Sequence, residues 1–190
     1  MAAMLMGAWS LQSCDNEPTK EVWLDEFGQD SCYVQDWGML EVNRSVVHTP
    51  LTVNGVVYER GLGAHSISRL LYDLDGKAVS ISGLAGADDK NLFAGKLQFK
   101  ILGDKKELWK SGVMQKGDPV KEFNVNLKGV DKVLLLVEEC GDGIMYDHAD
   151  WLNVKITTRG DVKPVPAWAK PVAKEKYILT PPAPESPVIN

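Results

Sequence analysis

Leu152-Asn153-Val154-Lys155-Ile156-Thr157 places an apolar side chain at every second position and a polar one between. Successive side chains of a β-strand point to opposite faces. A period of two therefore sets Leu152, Val154 and Ile156 against a core and turns Asn153, Lys155 and Thr157 to water. The same alternation recurs upstream: Val79 and Ile81 beside Ser80 and Ser82, Leu97, Phe99 and Ile101 around Gln98 and Lys100, and Phe123, Val125 and Leu127 around Asn124 and Asn126. Val133 to Val137 is apolar throughout, as expected of a central strand covered on both faces. No window sustains a helical period. Asn54-Gly55, between Leu51-Thr52-Val53 and Val56-Val57-Tyr58, is a strong hairpin signal. Asp75-Gly76, Gly103-Asp104, Gly117-Asp118-Pro119 and Lys128-Gly129 punctuate the other runs. Many short strands joined by Gly-rich turns predict an all-β protein, an antiparallel β-sandwich of jelly-roll type.

Directly before the opening stretch lies Gly141-Asp142-Gly143-Ile144-Met145-Tyr146-Asp147-His148-Ala149-Asp150-Trp151. A turn needs Gly and one Asx residue. Three carboxylates, an imidazole and two aromatic rings in one loop exceed that need. Groups that hydrogen-bond in two directions, flanked by flat rings, suit a ligand with apolar faces and a hydroxyl rim, which describes a sugar.

At 190 residues the chain holds one domain with a well-filled core, plus tails. A net charge of -5 and an isoelectric point near 5.2 argue against nucleic acid and against an anionic membrane face. Met1 to Ser13 is apolar and rich in small residues, and Leu11-Gln12-Ser13-Cys14 resembles a bacterial lipobox. Residues 1–21 thus read as a lipoprotein-type leader and tether lipidated at Cys14, with no basic residue before the apolar run. Export and a lipid-anchored envelope location, or secretion, follow from it. Cys32 and Cys140 are compatible with a disulfide or with two separate thiols. Beyond Thr158 seven prolines from Pro164 to Pro187 predict a semi-rigid spacer, residues 159–190.

Gly61-Leu62-Gly63-Ala64-His65 lacks the third glycine and the strand-turn-helix setting of a phosphate loop. It places His65 beside a Gly-rich bend. Asp88-Asp89 puts two carboxylates on one loop, as an Asx turn, a hydroxyl acceptor or a calcium ligand. Asp147 and Asp150 beside His148 admit an acid/base reading, but their spacing in one loop does not establish the separation that glycosidases need. No serine sits on a nucleophile elbow.

Trp37-Gly38, Asn43-Arg44-Ser45, Gly61 through His65, Asp88-Asp89, Ser111 through Met114, Gly117-Asp118 and Gly141 through Trp151 together resemble the NPCBM family, carbohydrate-binding modules of family 51 attached to glycoside hydrolases. The resemblance covers Val22 to Thr158, and the order of the motifs makes it specific. It implies a galactose-binding-like sandwich without catalysis that recognises galactose or galactoside glycans, with calcium as a structural ion. Relatives commonly follow the paired aspartates with Glu, where this chain has Lys90. If that carboxylate holds sugar or metal, binding here is weaker or different. Trp168-Ala169-Lys170-Pro171 and Tyr177 through Pro184 look like the connector into an α-galactosidase-type catalytic domain.

The expectation is therefore a module over residues 22–158 that targets an attached hydrolase. Its expected sugar contacts are Trp37, Asn43, His65, Asp88, Asp89, Tyr146, Asp147, His148, Asp150 and Trp151. A hydrolase in its own right and a surface lipoprotein binding a protein partner are the alternatives.

Overall fold

The computed structural model describes residues 17–92 and 95–165. Its strands are Lys20–Trp23 (β1), Cys32–Gln35 (β2), Glu41–Val42 (β3), Leu51–Val53 (β4), Val56–Tyr58 (β5), Gly61–His65 (β6), Ser68–Asp73 (β7), Ala78–Ala87 (β8), Leu97–Gly103 (β9), Lys106–Met114 (β10), Lys121–Asn126 (β11), Lys132–Glu139 (β12), His148–Thr158 (β13) and Lys163–Pro164 (β14). One sheet has the order β11-β8-β13-β6-β3, with β1 also pairing β13; the facing sheet runs β10-β9-β12-β7-β14, with β2 beside β7. The ladders are antiparallel, as in β13–β8 and β12–β9. The expected antiparallel sandwich is what the chain forms.

The core lies between the sheets. Trp151 is 0% exposed, with Phe99 and Phe123 both edge-on to it at centroid distances of 4.9 and 5.7 Å. The continuous apolar run becomes β12, in the middle of its sheet. The Asn54-Gly55 hairpin forms as β4–β5, with φ of 49° and 76° at its two turn residues. Both lie in the left-handed region that a two-residue hairpin turn requires.

The alternation along β13 is broken once. Asn153 has φ 50° and the ladder to β8 shifts register between Leu152 and Lys155. Trp151, Val154 and Ile156 therefore face the main core. Leu152 faces the other way and packs with Leu51 and Val53 under the β4–β5 hairpin. A strict period of two put Leu152 on the same face as Val154, and the bulge overrides it.

Two further departures have a common cause. The polar stretch around Cys32–Gln35, which carries no alternation, forms β2, and the segment expected as spacer contains β14. Both pair with β7, so a tertiary neighbour makes the strand where local alternation is weak. A 3-10 stretch, Leu24–Ser31, precedes β2 and is interrupted at Gly28. The remaining prolines, from Pro166 onward, and Cys14 lie outside the described residues.

β13 also sets the polarity of the molecule. His148 opens it beside the end of β6, and Thr158 closes it beside Lys20 of β1. Eleven residues at about 3.3 Å each separate these ends by roughly 33 Å. Lys163 pairs with Asp73 at the far end of β7. Both chain connections thus leave from the end opposite His148.

Candidate functional site

His65 ends β6 and His148 begins β13, and the two are directly opposite in the ladder. Opposed residues share a face, so their rings meet, with centroids 5.5 Å apart. Trp37, from the loop between β2 and β3, lies against both. Its ring is 4.9 Å from His65 and 5.9 Å from His148, stacked on the latter at 12°. Tyr146, whose φ of 63° turns the chain sharply before β13, adds a ring 6.5 Å from His148. Gln35 Nε2 donates to the Trp37 carbonyl at 2.9 Å, and Asp36 N donates to Ile67 O at 3.1 Å. These bonds hold the loop down. Trp37 remains 40% exposed, whereas His65 is 3% and His148 7% exposed. The indole is the open surface of the cluster, and the imidazoles form its floor.

His65 Nδ1 lies 2.6 Å from Ser66 O. A carbonyl only accepts, so Nδ1 carries the proton and Nε2 is left as an acceptor. Burial pushes the His65 pKa down to about 4; the bond to Ser66 opposes this and His148 adds to it. Burial also lowers His148, against the pull of Asp88. Ser66 Oγ donates to Asp147 Oδ2 at 2.5 Å, and Ser66 N donates to Asp147 O at 3.2 Å, which ties β6 to β13 beneath the rings. Burial pushes Asp147 up to about 7, opposed by the Ser66 bond, with Asp142 and Glu139 adding to the rise. The cluster thus offers neutral hydrogen-bonding groups and an exposed indole, a surface suited to an uncharged polyhydroxylated ligand.

Of the expected contacts, Trp37, His65, Tyr146, Asp147 and His148 come together here. The others do not. Trp151 is corrected to a core residue, because a fully buried ring cannot cover a ligand. Asn43 Oδ1 accepts the Gly61 amide at 2.9 Å and shapes the entry to β6. Asp89 accepts the Asn54 and Gly55 amides at 3.0 and 2.7 Å, and Asp88 accepts those of Lys90 and Thr52 at 2.6 and 3.4 Å. The paired aspartates are anchors of the β4–β5 hairpin.

Asp150 is corrected as well. It lies level with Gly63 and Gly86 across the sheet. A Cβ on Gly63 would meet Arg44 O, and one on Gly86 would stand 2.6 Å from Val53 Cγ1. The cover therefore closes tightly over Asp150, which is 0% exposed, with its carboxyl beside that of Asp88 and the Thr52 backbone. Burial, then the charge of Asp88, raises its pKa well above the carboxylate range. Sealed in this way, Asp150 cannot act with Asp147 across a scissile bond.

Calcium takes six to eight oxygens. Among the described residues no three His, Cys, Asp or Glu side chains converge to hold an ion; Asp88 and Asp89 accept backbone amides around the β4–β5 hairpin. Cys140 is a free, half-buried thiol, and the Cys32 side chain lies outside what is described. Two residues that matter here escape a reading of the sequence. Ser66 differs from any serine beside a histidine only once β13 is placed beside it. Asn91, two residues past the aspartates, carries no motif of its own.

Over 130 residues the chain is 29% identical to the alpha-1,3-galactosidase B of Akkermansia muciniphila, an alignment covering 66% of this chain and 16% of that protein. The chain thus spans about a sixth of that relative's length. The CBM51 of Clostridium perfringens GH95, solved in complex with methyl-galactose, matches with a TM-score of 0.64 at 25% identity, covering 72% of this chain and 99% of that one. The structure of the M60 catalytic domain with the CBM51-1 and CBM51-2 domains of Clostridium perfringens ZmpB matches with a TM-score of 0.66 at 28% identity, covering 74% of this chain and 15% of that one. Residues 20–157 match the model of the NPCBM/NEW2 domain. That span is most of the sequence and takes in both sheets, so the chain belongs to the NPCBM/NEW2 domain family.

Proposed function

We propose that this sandwich is a non-catalytic carbohydrate-binding module that holds galactose or galactoside glycans and brings an attached glycoside hydrolase, such as an α-galactosidase, to them. The observation that carries the reading is the ring cluster at one end of the sandwich, a half-open indole over two neutral imidazoles. Trp37 covers the apolar face of the hexose, and His65 Nε2 accepts a hydrogen bond from one of its hydroxyls. Support comes from the methyl-galactose complex of the Clostridium perfringens CBM51 and from the galactosidase that contains a 29% identical stretch.

One shallow site on one sugar gives a dissociation constant on the order of tens of micromolar to millimolar, about -4 to -6 kcal/mol. Tethering then raises the local concentration of the hydrolase at the glycan. The polarity of β13 favours this use, because the rings face away from both chain connections. Export with lipid anchoring at Cys14 belongs to the same proposal. Among the described residues no helix is long and apolar enough to cross a membrane.

A glycan array probed with the full chain tests the proposal. Terminal galactosides give signal; an array on which only glycans without galactose respond, or none do, overturns it.

A further inference from the structure

We infer that Asn91 is a positioning residue of the ring site, acting on His148 through the backbone. The inference rests on the carbohydrate-binding reading for its functional meaning, and its geometry stands independently. β8 ends at Ala87, which pairs with Ala149. His148, the first residue of β13, therefore has β6 on one side and no strand residue on the other. Asn91 occupies that place. Its Oδ1 accepts the His148 amide at 3.0 Å and its Nδ2 donates to the His148 carbonyl at 3.2 Å. Asp88, the residue after β8, gives its amide to His148 O, but its carbonyl is taken by Asn91 N. The carboxamide supplies the acceptor that His148 N would otherwise lack, and a second donor to His148 O.

The clamp is itself held. Asn91 is 0% exposed, and its own N–H donates to Asp88 O at 3.1 Å. Asp88 N donates to the same His148 carbonyl at 3.0 Å. Lys116 Nζ, from the turn between β10 and β11, donates to Asn91 O at 2.9 Å. A strand end frays unless it is tied, and fraying here would carry the His148 ring away from Trp37 and His65. Asn91 touches neither ring, so it sets where the floor of the site lies and makes no ligand contact.

The chemistry of the clamp gives a test that a merely structural residue would not pass. Ionised Asp in place of Asn keeps the acceptor for His148 N but sets an anion against His148 O. Protonated Asp restores the donor. Asn91→Asp should bind methyl-galactose at least ten-fold more weakly than the wild-type chain at pH 7.5. At pH 5 it should return to within two- to three-fold of wild type measured at the same pH. Asn91→Ala should stay weak at both values. In both variants the His148 imidazole resonances should shift at pH 7.5, and only those of Asn91→Asp should return at pH 5. Wild-type affinity in both variants with unmoved His148 resonances overturns the inference, as does a loss in Asn91→Asp that acid does not reverse. A wild-type chain that fails to bind methyl-galactose defeats the proposed function instead, and the resonances then decide the positioning role alone.

Discussion

Asp147→Asn should make the stability of this protein depend on pH in a direction the wild type conceals. Asp147 titrates near 7 in the folded chain, raised chiefly by burial, and near 3.8 when unfolded. Between these values the unfolded state releases the proton that the folded state keeps, so the group costs more stability as pH rises. From pH 5 to pH 7 that cost grows by about 2 kcal/mol. His65 runs the other way. Its pKa of about 4 lies below the unfolded 6.5, so its neutral burial stabilises fully above pH 6.5, and this is lost as pH falls toward 4. Acidification from pH 7 to pH 5 costs about 2 kcal/mol through His65, which offsets the gain through Asp147. Asn at position 147 removes one slope and leaves the other. Urea unfolding of both proteins at pH 5, 6 and 7 measures the difference. Relative to wild type, Asp147→Asn should be about 2 kcal/mol more favoured at pH 7 than at pH 5, equivalent to roughly 7 °C in the thermal midpoint. A difference that stays constant across the three pH values would refute the buried, raised carboxyl and the site built on it.

Trp151→Ala removes a ring held between Phe99 and Phe123 and should cost about 3–5 kcal/mol in chemical denaturation. Asp89→Ala frees the Asn54 and Gly55 amides and should cost about 2 kcal/mol; with the ring cluster intact, sugar affinity read by calorimetry should stay within two-fold of wild type. Mutating Asp150 to Asn should raise stability at pH 8 relative to pH 5, because the buried carboxyl's ionisation is most costly in base; thermal unfolding at the two values reads it.

The sandwich was legible because its long strands carry their own signal. β9, β11 and most of β13 alternate, and Asn54-Gly55 and Asp75-Gly76 mark the turns from β4 to β5 and from β7 to β8. β2 and β14 were not, because their pairing with β7 decides them. The site was half legible for a related reason. The loop before β13 holds the right side-chain types, but a sequence does not say which way each one points. Asp150 and Trp151 are neighbours in a strand and so face opposite sides, one under the hairpin and the other into the core. Only His148, at the strand's first position, reaches the rim. Trp37 and His65 join it from distant segments because β6 lies beside β13. Asn91 was invisible because its role depends on β8 ending one residue short.

The most direct test is titration calorimetry of methyl-galactose into the full wild-type chain and its Trp37→Ala variant at pH 7. Trp37 is partly exposed, so the variant should unfold within about 1 kcal/mol of wild type. Ligand should bind the wild type with a dissociation constant between tens of micromolar and millimolar, and the variant at least ten-fold more weakly. Equal affinity in the two proteins would contradict the placement of the sugar on the Trp37 ring.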